Sequence, residues 1–179
     1  PGTTMSDKVE LHSNERTLVD TNLFIAIGNP ENTKFQRFRE TVAESGVVLS
    51  VPERVREELS IHPIERRLTT ALDEGWAETV SAPPLTASEA VTATDRARRM
   101  IAEITGQDEH DVEKADTMFA GLAVQYLTLG DTRVAVLTDD GPATTAIKTA
   151  VRSVEVRGDV RVLTLAEVIG ESDDDITLI

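Results

Sequence analysis

From Arg16 onward the chain falls into short apolar runs separated by stretches with helical periodicity. Thr17-Leu18-Val19-Asp20 predicts a short buried strand, and Asn22 to Ile27 carries the chain out of it to a break at Gly28-Asn29-Pro30. A helix is expected near Asn32 to Glu44. Val47-Val48-Leu49-Ser50-Val51 is a second β-branched run, with Pro52 where a helix would start and Val55 and Leu59 following at helical spacing. Ile64 to Asp73 predicts a helix and Trp76 to Val80 a weak strand. After Ala82-Pro83-Pro84, Thr86-Ala87-Ser88-Glu89 matches a capping box and starts a helix of about 18 residues that Gly106 ends. Asp108 can cap the next helix, in which Val112, Phe119, Leu122, Ala123 and Tyr126 line one face up to Gly130. Val134 to Thr138 is a third clear strand, followed by a helix from about Pro142 to Val151 and a last strand at Val160 to Leu163. Strands alternating with helices imply an α/β fold, a three-layer α/β/α sandwich around a mainly parallel sheet.

At 179 residues the chain suits one domain. Pro1 to Thr4 precede a Met and read as foreign to the native chain, so 1–15 is taken as an N-terminal extension, 16–169 as the domain and 170–179, with Asp173-Asp174-Asp175, as an acidic tail that is mobile or solvated. No signal peptide and no apolar run of bilayer length is recognised, and a cytoplasmic protein without membrane association is expected. The absence of cysteine excludes disulfides, thiolate metal sites and cysteine nucleophiles. The net charge of -14 would repel a polyanion unless metal ions or a local basic patch intervened. Lysine occurs only at Lys8, Lys34, Lys114 and Lys148, and this acidic, lysine-poor balance suggests adaptation to high salt, where screening shortens to about 3 Å at 1 M.

Ligands of an open parallel sheet bind beyond the carboxyl ends of its strands, and here those ends are acidic. Asp20 ends the first strand, and Asp139 and Asp140 follow Thr138. Asp116 shares a predicted helical stripe with Val112, Phe119 and Ala120, where a buried carboxylate needs a partner or a metal; the alternative is a half-exposed Asp paired with an Arg. With Val55 at zero and about 100° per residue, Glu58 falls near 300°, flanking the buried stripe, and Glu57 near 200°, pointing away. Glu58 could instead pair with Arg54 at i, i+4, and Asp20-Thr21-Asn22 could be turn chemistry. Clustered carboxylates repel one another, and a hard divalent cation held by oxygen ligands relieves that repulsion.

The ordered set Leu18-Val19-Asp20-Thr21-Asn22, Val51-Pro52 through Val55 to Glu58-Leu59, Lys114-Ala115-Asp116 with Ala120 and Ala123, and Val136-Leu137-Thr138-Asp139-Asp140 resembles the PIN-domain ribonucleases over roughly Arg16 to Leu165. Together with the composition, the resemblance implies a member from a halophilic archaeon. It also implies Mg²⁺ or Mn²⁺ bound at Asp20, Glu58, Asp116 and the acid after Thr138, with Asn22 and Thr138 as polar support. Asp140 is preferred as the last acid because family members often place it two beyond the Thr; Asp139 is kept as a second metal residue. The implied activity is metal-assisted hydrolysis of single-stranded RNA, either as a toxin inhibited by a small antitoxin-like protein or as an RNA-processing nuclease. The long helix from Thr86 to Thr105 leaves that choice open, and a homodimer is a further expectation. Arg37, Arg54 and Arg56 are candidates for contacting the RNA backbone, against the alternative of a solvated face beside Glu40, Glu53 and Glu57.

The competing readings are a catalytically idle PIN scaffold that binds protein or RNA, and a phospho-acceptor signalling domain, which wants a Lys after a late strand where Lys148 is mid-helix. No G-x-G-x-x-G follows the first strand. His12, His62 and His110 lie in polar stretches and read as surface, while Phe119 and Tyr126 read as core.

Overall fold

The computed structural model describes residues 8–170. Pro1 to Thr4 and the tail from Glu171 lie outside them. Five strands form one sheet: β1 (Arg16–Val19), β2 (Leu49–Pro52), β3 (Ala77–Val80), β4 (Arg133–Leu137) and β5 (Asp159–Leu163). They run in the order β3-β2-β1-β4-β5, and every pairing is parallel. β1 is central, with Leu18 beside Ser50 of β2 and Val136 of β4. Buried on both faces, β1, β2 and β4 are nearly continuous apolar runs, as a doubly covered parallel sheet requires.

The helices are α1 (Thr21–Ile27), α2 (Thr33–Ser45), α3 (Glu53–Leu59), α4 (Glu65–Glu74), α5 (Ser88–Thr105), α6 (Lys114–Thr128), α7 (Gly141–Arg152) and α8 (Leu165–Ile169). The chain moves outward from β1 to β3, then crosses back to β4, and right-handed crossovers therefore put the two sets of helices on opposite faces. One layer packs α1 with α2, α3 and α8; the other packs α5, α6 and α7 together. The chain reverses direction between β1 and β4, and the crevice opens there.

Several expectations need correction. Asn22 to Ile27 is part of a helix, α1, because Asp20 accepts the first free N–H and so turns the strand end into a helix start. The helix α5 starts at Ser88, one residue later than the Thr86–Glu89 capping box requires. Buried Gln125 of α6 replaces that box: its Oε1 accepts the N–H groups of Thr86 and Ala87, each at 3.0 Å, and its Nε2 donates to Thr86 Oγ1 at 3.0 Å. Asp108 precedes only a short 3₁₀ turn, Glu109–Asp111, and α6 is preceded by Glu113. Val112 thus lies outside α6, and the apolar positions of that helix surround it instead of lining one face, since sheet, α5 and α7 all cover it. At Gly121 a Cβ would stand 1.9 Å from Thr94 Oγ1 and 3.0 Å from Ala90 O, so only glycine permits the α5–α6 crossing. Helix α8 was not expected, although Thr164 and Glu167 form a complete capping box at its start.

Residues 8–15 pack on the body. Val9 N–H donates to Glu167 O at 2.9 Å, Leu11 is buried, and buried Glu15 pairs with Arg161 of β5. Among the described residues no helix is long and apolar enough to cross a membrane.

Candidate metal centre

The end of β1 and the end of β4 are fastened by side chains. Asp20, the N-cap of α1, accepts the Thr21 N–H at 2.7 Å through Oδ1, while its Oδ2 accepts from Asn22 Nδ2 and Thr138 Oγ1, both at 3.0 Å. Asn22 Oδ1 in turn accepts the Asp139 N–H at 2.8 Å, and Thr138 Oγ1, fully buried, accepts the Asp140 N–H at 3.2 Å. Main-chain bonds continue the same tie, with Asp20 N–H donating to Leu137 O and Thr138 N–H to Leu163 O, each at 3.0 Å. Asn22 and Thr138 therefore fix the Asp20 carboxylate across the β1–β4 crevice.

Asp139 and Asp140 diverge at the strand end. Asp140 is the N-cap of α7, accepts the Ala143 N–H at 3.0 Å through Oδ1, and repels Asp20 and Asp116. Asp139 Oδ1 accepts the Leu165 N–H at 2.7 Å, so this carboxylate secures the start of α8. Asp116 stands in the first turn of α6, half-buried.

Electrostatics group these acids. Burial pushes the Asp20 carboxyl up from 3.8 to about 6, against the opposing hydrogen bonds from Thr138 and Thr21, and Asp116 and Asp140 push it in the same direction. The Asp116 carboxyl is also raised, by burial first and then by Asp140, Glu113 and Glu58. Among the described residues none of Asp20, Asp116 and Asp140 forms an ion pair with a basic side chain. The trio whose ligand atoms all lie within 4.8 Å of one another is instead Asp108, His110 and Asp111, wholly exposed on the 3₁₀ turn. The crevice acids stand wider apart, as unneutralised carboxylates do, and their all-oxygen donor set suits a hard divalent cation.

Glu113 was missed because the helix start was sought at Asp108; with α6 beginning at Lys114, Glu113 sits three residues before Asp116 at the same helix mouth. Glu58 and Glu57 are both exposed, and both border a groove of about 600 Å³ that Pro52, Arg54, Ser81 and Met118 also line. Glu57 is exposed, as expected for a residue turned away from the buried stripe of Val55 and Leu59, and it still borders this open groove. Of the two, Glu58 acts on Asp116. Glu58 forms no ion pair with Arg54 among the described residues. Of the three arginines proposed to meet RNA, Arg54 borders this groove, while exposed Arg56 and Arg37, the latter on α2, are not among its lining residues.

No match was found among curated proteins or among solved structures. The family described as "Halobacterial PIN domain" matches residues 13–177. With the all-parallel sheet and the acidic crevice at its turning point, this match over nearly the whole chain means that the protein belongs to the halobacterial PIN domain family.

Proposed function

We propose that the protein is a divalent-metal-dependent endoribonuclease that hydrolyses phosphodiester bonds of single-stranded RNA. The observation that carries the reading is that Asp20, Asp116 and Asp140, from three separate elements, meet at the β1–β4 crevice with mutual repulsion and no basic partner among the described residues. Asp20, Asp116 and Asp140 would hold Mg²⁺ or Mn²⁺, with Glu58 and Glu113 alongside. The ion, when bound, supplies a more acidic water and positive charge for the phosphoryl oxygens. Asn22 and Thr138 keep the Asp20 carboxylate oriented, the Ala143 N–H does so for Asp140, and Asp139, engaged with α8, supports the frame without being a direct ligand. No side chain acts as nucleophile, so the products carry a 5′-phosphate and a 3′-hydroxyl. A 2′-deoxy nucleotide at the cut is then tolerated.

Cytoplasmic RNA is the substrate in this reading, whether the protein is a toxin restrained by a small antitoxin-like protein or an RNA-processing enzyme. Purified protein in high salt is expected to cut single-stranded RNA with Mn²⁺, stop in EDTA and resume when Mn²⁺ is restored. Cleavage that continues undiminished in chelator overturns the mechanism.

A further inference from the structure

We infer that the groove bordered by Arg54, Glu57 and Met118 is a nucleobase subsite that prefers guanine and rejects uracil; the inference rests on the nuclease reading and names the substrate feature the same site selects. The groove adjoins the acid cluster through Glu58, which lines it and also acts on Asp116; Met118 of α6 lines the same groove. A strand of RNA whose phosphate lies at the crevice therefore brings a neighbouring nucleotide over this groove.

The lining chemistry decides which part of the nucleotide enters. Three carboxylates, Glu53, Glu57 and Glu58, line it with one guanidinium, Arg54, so the lining repels phosphate and offers mostly acceptors. Its volume of about 600 Å³ is that of a small-ligand cleft, and Met118 contributes a polarizable, apolar side chain to its lining, of a kind that packs against a base. Glu53 accepts from Ser81 Oγ at 2.8 Å, whereas Glu57 and Arg54 form no ion pair among the described residues. Arg54 and Glu57 stand at i, i+3 on α3, presenting donors and an acceptor side by side.

Guanine matches that pair: its N1–H and exocyclic amino group both donate to one carboxylate, and O6 accepts from the guanidinium. Adenine and cytosine offer the amino group alone. Uracil has a single N–H between two carbonyls, which the carboxylates repel. A bidentate contact of this kind is worth roughly tenfold or more in discrimination between bases.

The test is cleavage of a randomised single-stranded RNA pool with Mn²⁺, reading both new ends of every product. At one fixed position beside the cut, guanine should exceed uracil by at least about tenfold, and Glu57→Gln, whose amide donates as well as accepts, should lower the ratio below about threefold while thermal unfolding stays unchanged. Input base frequencies at every flanking position, or a preference intact in both Glu57→Gln and Arg54→Ala, would overturn the subsite and leave the nuclease standing. A second readout needs no cleavage. The chain has 3 methionines, so the Met118 methyl is readily followed by NMR; guanosine should shift it and uridine should not. If no metal supports cleavage of the pool, the nuclease reading falls, and the same titration still decides whether a base enters the groove, equal or absent shifts with the two nucleosides counting against it.

Discussion

The two ends of the sheet use acids in opposite ways. At the amino end the two acids that enter the body among the described residues, Glu15 and Asp131, each meet a cation. Arg16 donates to Asp131 at 2.6 Å while lying 4.0 Å over the Tyr126 ring, and Arg161 reaches buried Glu15 through both of its donor positions, Nε to Oε2 at 2.9 Å and the terminal nitrogen to Oε1. At the carboxyl end Asp20, Asp116 and Asp140 face each other with hydroxyl, amide and main-chain donors only. A chain with 18 basic residues places none of them against this cluster among the described residues. Acids that hold the fold together are neutralised internally, and acids left in mutual repulsion await a charge from outside.

The largest effect that would break this contrast is on catalysis. Asp20→Asn or Asp116→Asn should lower Mn²⁺-dependent cleavage by a factor of about a hundred to a thousand, the cost typical of removing one preorganised electrostatic contact. The metal-free protein should be as stable as before or more stable, because a repelling charge is gone. A sharp fall in melting temperature would make these acids structural and erase the difference between the two ends. Glu15→Ala should behave in the reverse manner, with unfolding easier by about 3 kcal/mol and cleavage by the folded fraction unchanged, because Arg161 loses its buried partner. Urea titrations of both variants measure this.

The pH dependence of the metal-free protein sharpens the comparison. Asp20 has a folded value raised to about 6 from 3.8, so its contribution to stability is fully present below about pH 4 and is lost as pH rises through 6. Asp20→Asn should remove that decline. Mn²⁺ affinity should rise over the same interval, because binding displaces the proton. A stability profile for the wild type that is flat between pH 4 and 7 would show that Asp20 carries no such strain. Smallest of all, Asp139→Asn should change stability by no more than about 0.5 kcal/mol and cleavage by less than threefold, since an amide oxygen still accepts the Leu165 N–H. A large loss of Mn²⁺ binding in this variant would return Asp139 to the metal.

The alternation of strands and helices was legible because each buried strand is a compact apolar run; Asp20 and Asp116 stood out because each interrupts apolar surroundings, whereas Asp140 was preferred to its neighbour Asp139 on the family resemblance alone. What was lost depended on contacts between distant segments. The Gln125 clasp on Thr86 and Ala87 spans 39 and 38 residues, and no local pattern at Thr86 announces an acceptor on another helix. The helical wheel placed Glu57 toward solvent correctly, but it carries no information on Ser81 and Met118, which come from other elements to line the same groove. The capping box at Thr164 was readable, but a five-residue helix carries too little periodicity to draw the eye.

The tie between β1 and β4 bears on when this protein can act. Thr138 reaches Asp20 across 118 positions of sequence, and Asn22 reaches Asp139 across 117. A chain emerging from the ribosome as far as β3 already displays Asp20 and Glu58, yet has neither Asp116 nor Asp140. For the proposed ribonuclease, this order of synthesis means that the acid cluster stays incomplete until the second half of the polypeptide docks beside the first.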